Sequence, residues 1–561
     1  MSAHGSAWWE DAVVYEVYPR SFADADGNGV GDLPGLRSRL PYLADLGVDA
    51  VWMTPFYPSP LADGGYDVSD YRAVDPLLGT MADFDGLVKD GEAHQIRVIV
   101  DLVPNHCSSA HPLFQAALAA APGSPERARF IFRDGHGPGG ELPPNNWKSE
   151  FGGLAWTRVT EADGRPGQWY LHLFDVGQPD WNWRNEDVPA FFEQVIRFWL
   201  DRGAAGLRVD VAHGIYKDPN LPDDPDPDHL NRPVNAPSAY HHRPELQQLY
   251  RSWRAILDSY PADGFPGART AIGEVWADTP ATLLHYLVPG GLPQVFNFDL
   301  IVARWDATGL RQAIDGVLTL ADGSRAPWVI GNHDVLRPVS RYQLNEGFSA
   351  DTVSGLVSLG HTRPELGARR ARAAALLQLA LPGSAYIYQG EELGLPEVAD
   401  LPAAARQDPR FRRTHGESLG RDGCRVPLPW TRDGADFGFS ETASPAAPWL
   451  PQPADWGGYS VQAQLGDPDS FLSLYRTALR LRREHPALGR GTMRWIDEPQ
   501  QAGGLLCFAR EPGFLFAANL SLDPKTAAPL PPHREVLLAS EPDAVGSDGS
   551  LRPDTAVWLS Q

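Results

Sequence analysis

GLRVDVAH (206–213) and IRVIVDLVPNH (96–106) are the stretches whose reading decides the fold. Each is a short run of apolar, mostly β-branched residues that ends on charged or imidazole side chains. A run apolar on both faces describes a buried strand of a parallel sheet. Charged groups at its C-terminal end describe a strand that opens onto a site.

Six more runs of this kind occur. They are VVYEVYPRSF (13–22), VDAVWMTP (48–55), RTAIGEVW (269–276), QVFNFDL (294–300), PWVIGNHD (327–334) and SAYIYQGEE (384–392), which makes eight. Between several of them lie helical patterns. FFEQVIRFWLDRG (191–203) stops at Gly, and ELGARRARAAALLQLALPG (365–383) stops at Pro-Gly. Eight strand-then-helix repeats predict an α/β fold, a closed (β/α)8 TIM barrel. No GxGxxG follows the first run, which argues against a dinucleotide-binding sheet.

A length of 561 residues fits one barrel with insertions and a small appended domain. The barrel is expected over 1–106 and 176–488. Residues 107–175, rich in Gly, Pro and Trp, read as a subdomain inserted after the third strand. Residues 393–465 form a second insertion, after the eighth strand. A last barrel helix is expected near 470–485, and 489–561 reads as a C-terminal antiparallel β domain.

The net charge of −23 excludes nucleic acid and anionic membrane surfaces as natural partners. The three cysteines, Cys107, Cys424 and Cys507, are too few and too far apart for a disulfide framework. With no apolar run of membrane-spanning length and no signal-like start, the expected compartment is cytoplasmic. A monomer or small homo-oligomer is expected.

Collected at one mouth, the strand ends would supply Asp101, His106, Arg208, Asp210, Glu274, His333 and Asp334. An Asp ending a strand is commonly a turn or cap residue, but the joint set suits chemistry on an acetal. A retaining glycosidase needs an ionised carboxylate and a protonated carboxyl about 5–5.5 Å apart. Arg208 lies two residues before Asp210, on the same side of the strand, where it would keep the nucleophile ionised. Ile272, Val275 and Trp276 flank Glu274, an apolar setting suited to an acid/base group.

VDLVPNH, GLRVDVAH, IGEVW and VIGNHD, in this order, resemble the four strand-end motifs of the α-amylase superfamily, glycoside hydrolase family 13. GDLPGL (31–36), GYDVSDY (65–71), QPDWNW (178–183), GEELG (390–394) and DGCRVPLPW (422–430) resemble supporting motifs of its oligo-1,6-glucosidase and α-glucosidase branch. The resemblance implies Asp210 as nucleophile, Glu274 as acid/base and Asp334 as the third carboxylate gripping the sugar. It implies substrate contacts from Tyr66, Asp67, His106, Arg208, His333 and Arg425, with an Asp67–Arg425 pair closing the far end of the pocket. Asp101 is expected to hydrogen-bond near the nucleophile in a structural role.

DADGNGVGDL (24–33) offers Asp24, Asp26, Asn28, the Val30 carbonyl and Asp32 as oxygen ligands at alternating positions, as a hard cation needs. It resembles the branch's metal loop, implying a structural Ca²⁺, with Mg²⁺ as the alternative.

The activity implied is exo-acting release of glucose from short α-glucosides such as maltose, with some transglucosylation. Trehalose synthases, oligo-1,6-glucosidases and sucrose-acting enzymes share the same motifs and form the alternative reading. Val211 resembles the residue of α-1,6-accepting enzymes, whereas GEVW resembles α-1,4 or broad α-glucosidases. The acidic loop 218–244 resembles that of bacterial α-glucosidases acting on short substrates. VLRPVSRY, after Asp334, departs from QPRVVSRF, and the R-L-D-R-D signature of sucrose isomerases is absent. A non-catalytic relative would have lost the carboxylates that this chain keeps.

Overall fold

The computed structural model describes residues 7–227, 238–277, 279–320, 326–344, 363–442, 445–496, 504–521, 523 and 525–561. All eight expected strands form: β1 (Val13–Val17), β2 (Ala50–Met53), β3 (Arg97–Leu102), β4 (Gly206–Val209), β5 (Thr270–Gly273), β6 (Gln294–Val295), β7 (Pro327–Val329) and β8 (Ser384–Tyr388). Every pairing among them is parallel, in the order β7-β8-β1-β2-β3-β4-β5-β6. The barrel is therefore nearly closed, and the β6–β7 seam carries no ladder pairing among the described residues.

Alternation along the strands sorts their side chains into two layers. Val14, Trp52, Ile99, Ile272, Phe296, Val329 and Tyr386 fill the inside of the barrel as one buried cluster. Val13, Tyr15, Val17, Val51, Val98, Val100 and Leu207 face outward into the larger core beneath the helices. The helix Asp187–Asp201 presents Val188, Phe192, Val195, Ile196 and Trp199 to that core, at the three- and four-residue spacing of one helical face. The helix Phe471–Glu484 closes the barrel with Leu472, Tyr475, Ala478 and Leu479.

Between β3 and β4 the chain leaves the barrel and forms a three-stranded antiparallel sheet from Phe132–Arg133, Pro166–Leu171 and Trp156–Thr160. After the last barrel helix comes a five-stranded antiparallel sheet: Met493–Trp495, Leu505–Arg510, Phe514–Asn519, Thr555–Ser560 and Glu535–Ala539. It docks on the barrel through Trp558, whose indole N–H donates to the Leu376 carbonyl, and through Asp554, 2.7 Å from Arg370. Residues 228–237 of the acidic loop lie outside the described residues. Asp223 and Asp224 of that loop meet Asn146, and Trp147 donates to the Pro222 carbonyl, so the loop leans on the segment between the first two strands, in chain order, of the inserted sheet. No helix among the described residues is long and apolar enough to cross a membrane.

Candidate active site

The period of two that packs the barrel also builds its mouth. Two residues beyond Val14, Ile99 and Ile272, the inward-facing positions become Glu16, Asp101 and Glu274. On β4 the inward side carries Arg208, and Asp210 follows two residues later. These groups are buried, with Arg208 only 2% and Asp210 only 6% exposed.

Arg208 organises the site. Its Nη1 lies 2.7 Å from Asp210 Oδ1 and 3.0 Å from Asp101, and its Nη2 lies 2.8 Å from Glu274 Oε2. One guanidinium thus bridges the two carboxyls that a retaining glycosidase would use. The setting of Glu274 is less apolar than its neighbours in sequence suggested. Besides Arg208 it meets the Val211 N–H at 3.0 Å and the Trp276 indole N–H at 3.2 Å. Val211 reaches Glu274 from a left-handed backbone (φ 44°), a costly conformation for a β-branched residue, of the kind that collects at functional sites.

Burial pushes the Asp210 carboxyl up, and the charges of Glu274, Asp101 and Asp334 add to this against the pull of Arg208. Burial also raises Asp101 to about 7, opposed by Arg208, Tyr66 and Trp52. Asp101 and Asp210, which share the one guanidinium, thus both lie above the usual carboxylate range.

Asp334 lies in the opposite field. Burial acts to raise it, but His333, Arg421, Arg425 and Arg208 hold it well below the usual carboxylate range. Its Oδ1 takes Arg425 at 2.7 Å and Arg421 at 3.0 Å, while Oδ2 lies 3.4 Å from His333 Nε2. Tyr66 stacks on the His333 ring, with centroids 5.4 Å apart and planes 4° from parallel. Its hydroxyl is 2.7 Å from His333 Nε2 and 3.0 Å from Asp101 Oδ2. His106, its Nε2 3.0 Å from Gln178, is kept neutral by burial and then by Lys217, which lower it to about 3.

The expected Asp67–Arg425 pair does not form. Asp67 is fully buried and spends its oxygens inside its own loop, accepting from Ser59 Oγ (2.8 Å), Ala62 N (3.0 Å) and Asp63 N (3.1 Å). Arg425 turns instead to Asp334 and donates to the His333 carbonyl at 2.9 Å. The pair at this place is Asp63–Arg421, at 2.6 Å, and Arg421 Nε also holds Asp408 at 2.6 Å. Gly64, next to Asp63, has φ 59°, and a Cβ there would fall 2.6 Å from the Tyr18 hydroxyl, so the turn favours glycine. Sequence reasoning missed Asp63, Arg421, Asp408 and Glu16. The signal for the first two was present, because each lies four residues before the residue chosen in its place. Glu16 is the one charge inside an otherwise apolar strand, a sign that by itself names no partner.

In the early loop, ligand oxygens of Asp24, Asp26 and Asp32 lie within 4.8 Å of one another. Burial raises Asp32 to about 6, and the neighbouring charges of Asp24 and Asp26 push the same way. The Asn28 side-chain oxygen accepts from the Val30 N–H at 2.8 Å, closing a turn over the three carboxylates.

The profile of the alpha amylase catalytic domain matches residues 16–491. A probable alpha-glucosidase of Rhizobium meliloti (strain 1021) is 36% identical over 521 residues, covering 90% of this chain and 87% of that protein. Among solved structures, an alpha-glucosyl transfer enzyme is 36% identical with a TM-score of 0.82, over 99% of this chain and 100% of that one. The trehalulose synthase MutB from Pseudomonas mesoacidophila MX-45 is 30% identical with a TM-score of 0.83 over the same shares. Fold, strand-end carboxylates and sequence agree over nearly the full length, and the chain belongs to the α-amylase family of glycoside hydrolases, family 13.

Proposed function

We propose that this chain is a retaining, exo-acting α-glucosidase that removes the terminal glucose from short α-glucosides such as maltose, with some transfer to sugar acceptors. The observation that carries the proposal is Arg208 bridging Asp210 and Glu274 through its two terminal nitrogens. In this reading Asp210 attacks the anomeric carbon while Glu274 gives its proton to the departing oxygen. Glu274 then takes a proton from water, which releases glucose from Asp210. Asp334, held ionised by two arginines, grips the hydroxyls of the reacting ring. Tyr66, His106 and His333 position that ring.

Asp63, Arg421 and Asp408, on the far side of Asp334, close the pocket end and give exo action. Two carboxylates against one guanidinium leave this end without a spare positive charge, which suits the neutral hydroxyls of a terminal glucose better than a phosphate. The fold is shared with a glucosyl transfer enzyme and a trehalulose synthase, so transfer is the second reading. A chromatographic product profile on maltose, isomaltose, sucrose and trehalose separates the two. Glucose from maltose with minor trisaccharide supports the hydrolase, and a disaccharide isomer with little free glucose refutes it.

A hard divalent cation, Ca²⁺ or Mg²⁺, in the 24–32 loop is part of the proposal. Three carboxylates crowded within 4.8 Å repel one another, and such a cation would relieve that repulsion. Asp24, Asp26 and Asp32 would hold it, for stability and not for chemistry. A cytoplasmic location is proposed on the sparse cysteine content, three in 561 residues and far apart in sequence.

A further inference from the structure

Glu16 has no part in the reaction as described so far, yet its carboxyl lies at the base of the mouth, 1% exposed. Its Oε1 is 2.5 Å from Nδ1 of His333 and 3.3 Å from the His333 backbone N–H. The other ring nitrogen, Nε2, lies 2.7 Å from the Tyr66 hydroxyl and 3.4 Å from Asp334 Oδ2. The ring cannot turn away. It is fully buried, stacked on Tyr66, edge-on to Trp52 at 6.0 Å and 6.1 Å from Tyr18.

A neutral imidazole has one N–H, so the partner at Nδ1 decides what Nε2 offers. If Nδ1 carried the only proton, Nε2 would present a lone pair to the ionised Asp334. That arrangement is repulsive. One additional proton on the Glu16–His333 pair removes the conflict. On Glu16 it is donated to Nδ1, and on Nδ1 it makes an imidazolium against a carboxylate. In both cases Nε2 keeps its N–H.

We infer that Glu16 is a positioning residue for the proposed glycosidase reaction: the proton it shares with Nδ1 of His333 keeps Nε2 protonated, as a donor toward the reacting sugar. On Glu16, burial and the negative charges of Asp334 and Glu391 favour keeping that proton, against Arg208 and the His333 backbone N–H. On the His333 ring, burial and the positive charges of Arg425, Arg208 and Arg421 oppose it against Asp334, so the shared proton rests on Glu16. β2 contributes the apolar Trp52 to this contact, and Gln389 after β8 donates its backbone N–H to the Glu16 carbonyl. Loss of the shared proton at high pH turns Nε2 from donor into acceptor and removes one hydrogen bond to the sugar.

The inference rests on the α-glucosidase reading, and its test separates the two. α-Glucosyl fluoride needs little protonation of its leaving group, so the Glu274 proton does not dominate the alkaline limb of its pH profile. On this substrate the wild-type kcat/KM is expected to fall at alkaline pH as the pair loses its proton. Glu16→Gln, which keeps the shape but cannot titrate, is expected to move that limb by about one pH unit or more. Superimposable profiles overturn the inference. Glu16→Ala is expected to lower kcat roughly 10-fold, the worth of one hydrogen bond, with a smaller change in KM. A wild-type kcat in Glu16→Ala overturns it as well.

Should Glu16→Gln fail to fold, the ¹⁵N shifts of the His333 ring in the wild-type chain decide, with His333→Asn identifying the signals. A protonated Nε2 supports the inference, and a proton on Nδ1 alone overturns it. Turnover of α-glucosyl fluoride without glucose release from maltose sinks the hydrolase reading, and leaves Glu16 to be judged on these profiles.

Discussion

Replacing Asp63 by Asn tests whether the pocket end has been placed on the right aspartate. The carboxylate lies 2.6 Å from Arg421 Nη2 and 3.1 Å from Gln178 Nε2, and it is 3% exposed. Asn keeps the shape and one acceptor oxygen but removes the charge. A hydrogen bond to a charged group contributes roughly 1.5–3 kcal/mol. Losing one such bond to the terminal glucose lowers kcat/KM by about 10- to 150-fold. The fold should suffer less. Orphaning one member of a buried ion pair costs about 3–5 kcal/mol, but Arg421 keeps Asp334 and Asp408, so the loss falls below that range. The assay is kcat/KM on maltose together with the thermal midpoint, with Asp67→Asn measured in parallel. Near-wild-type kcat/KM in Asp63→Asn, with a large fall in Asp67→Asn at unchanged stability, would refute the exchange of roles.

Asp67→Asn is expected to act on stability: its amide must face at least one of three donors, at a cost of about 1–3 kcal/mol seen as a lower thermal midpoint. Chelation with EDTA should lower the midpoint and added Ca²⁺ or Mg²⁺ restore it, with kcat at low temperature little changed; a midpoint indifferent to both sinks the cation. Burial lowers eight of the described histidines, among them His106 and His242 to about 3, and His111, His172 and His213 to about 4. Between those values and the unfolded value of about 6.5 the unfolded chain binds more protons, so stability is fully present above pH 6.5 and falls as pH drops toward 4, by up to about 1.4 kcal/mol per histidine per pH unit. A thermal midpoint flat from pH 7 to 4.5 would contradict this.

Much of the site was legible because the strands are short and regular. Asp101, Arg208, Asp210, Glu274 and Asp334 close apolar runs of period two, and inward-facing positions of neighbouring strands must meet at one mouth. The less legible residues sit on loops. ADGGYD offers two aspartates, and RDGCR two arginines at the same spacing. Nothing in either loop alone tells which Asp turns inward, since the partner of Asp63, Arg421, comes from the other loop. Glu16 was hidden for another reason: a single charge in a first strand carries no meaning until His333, 317 residues away, is beside it.

The sequence by itself determined the architecture and the inventory of reactive groups. Strand periodicity, helix stops and strand-end charges are local, and a parallel barrel has few ways to assemble them. Only the tertiary structure decided who pairs with whom. Asp63 and Arg421 are 358 residues apart, as are no two members of one local motif, and their meeting depends on how two loops pack over the barrel mouth. Electrostatics made that choice sharp, because the buried Arg208 and Arg425 and the nearly buried Arg421 each face carboxylates. Arg208 took Asp210 and Glu274, Arg425 took Asp334, and Arg421 took Asp63 and Asp334.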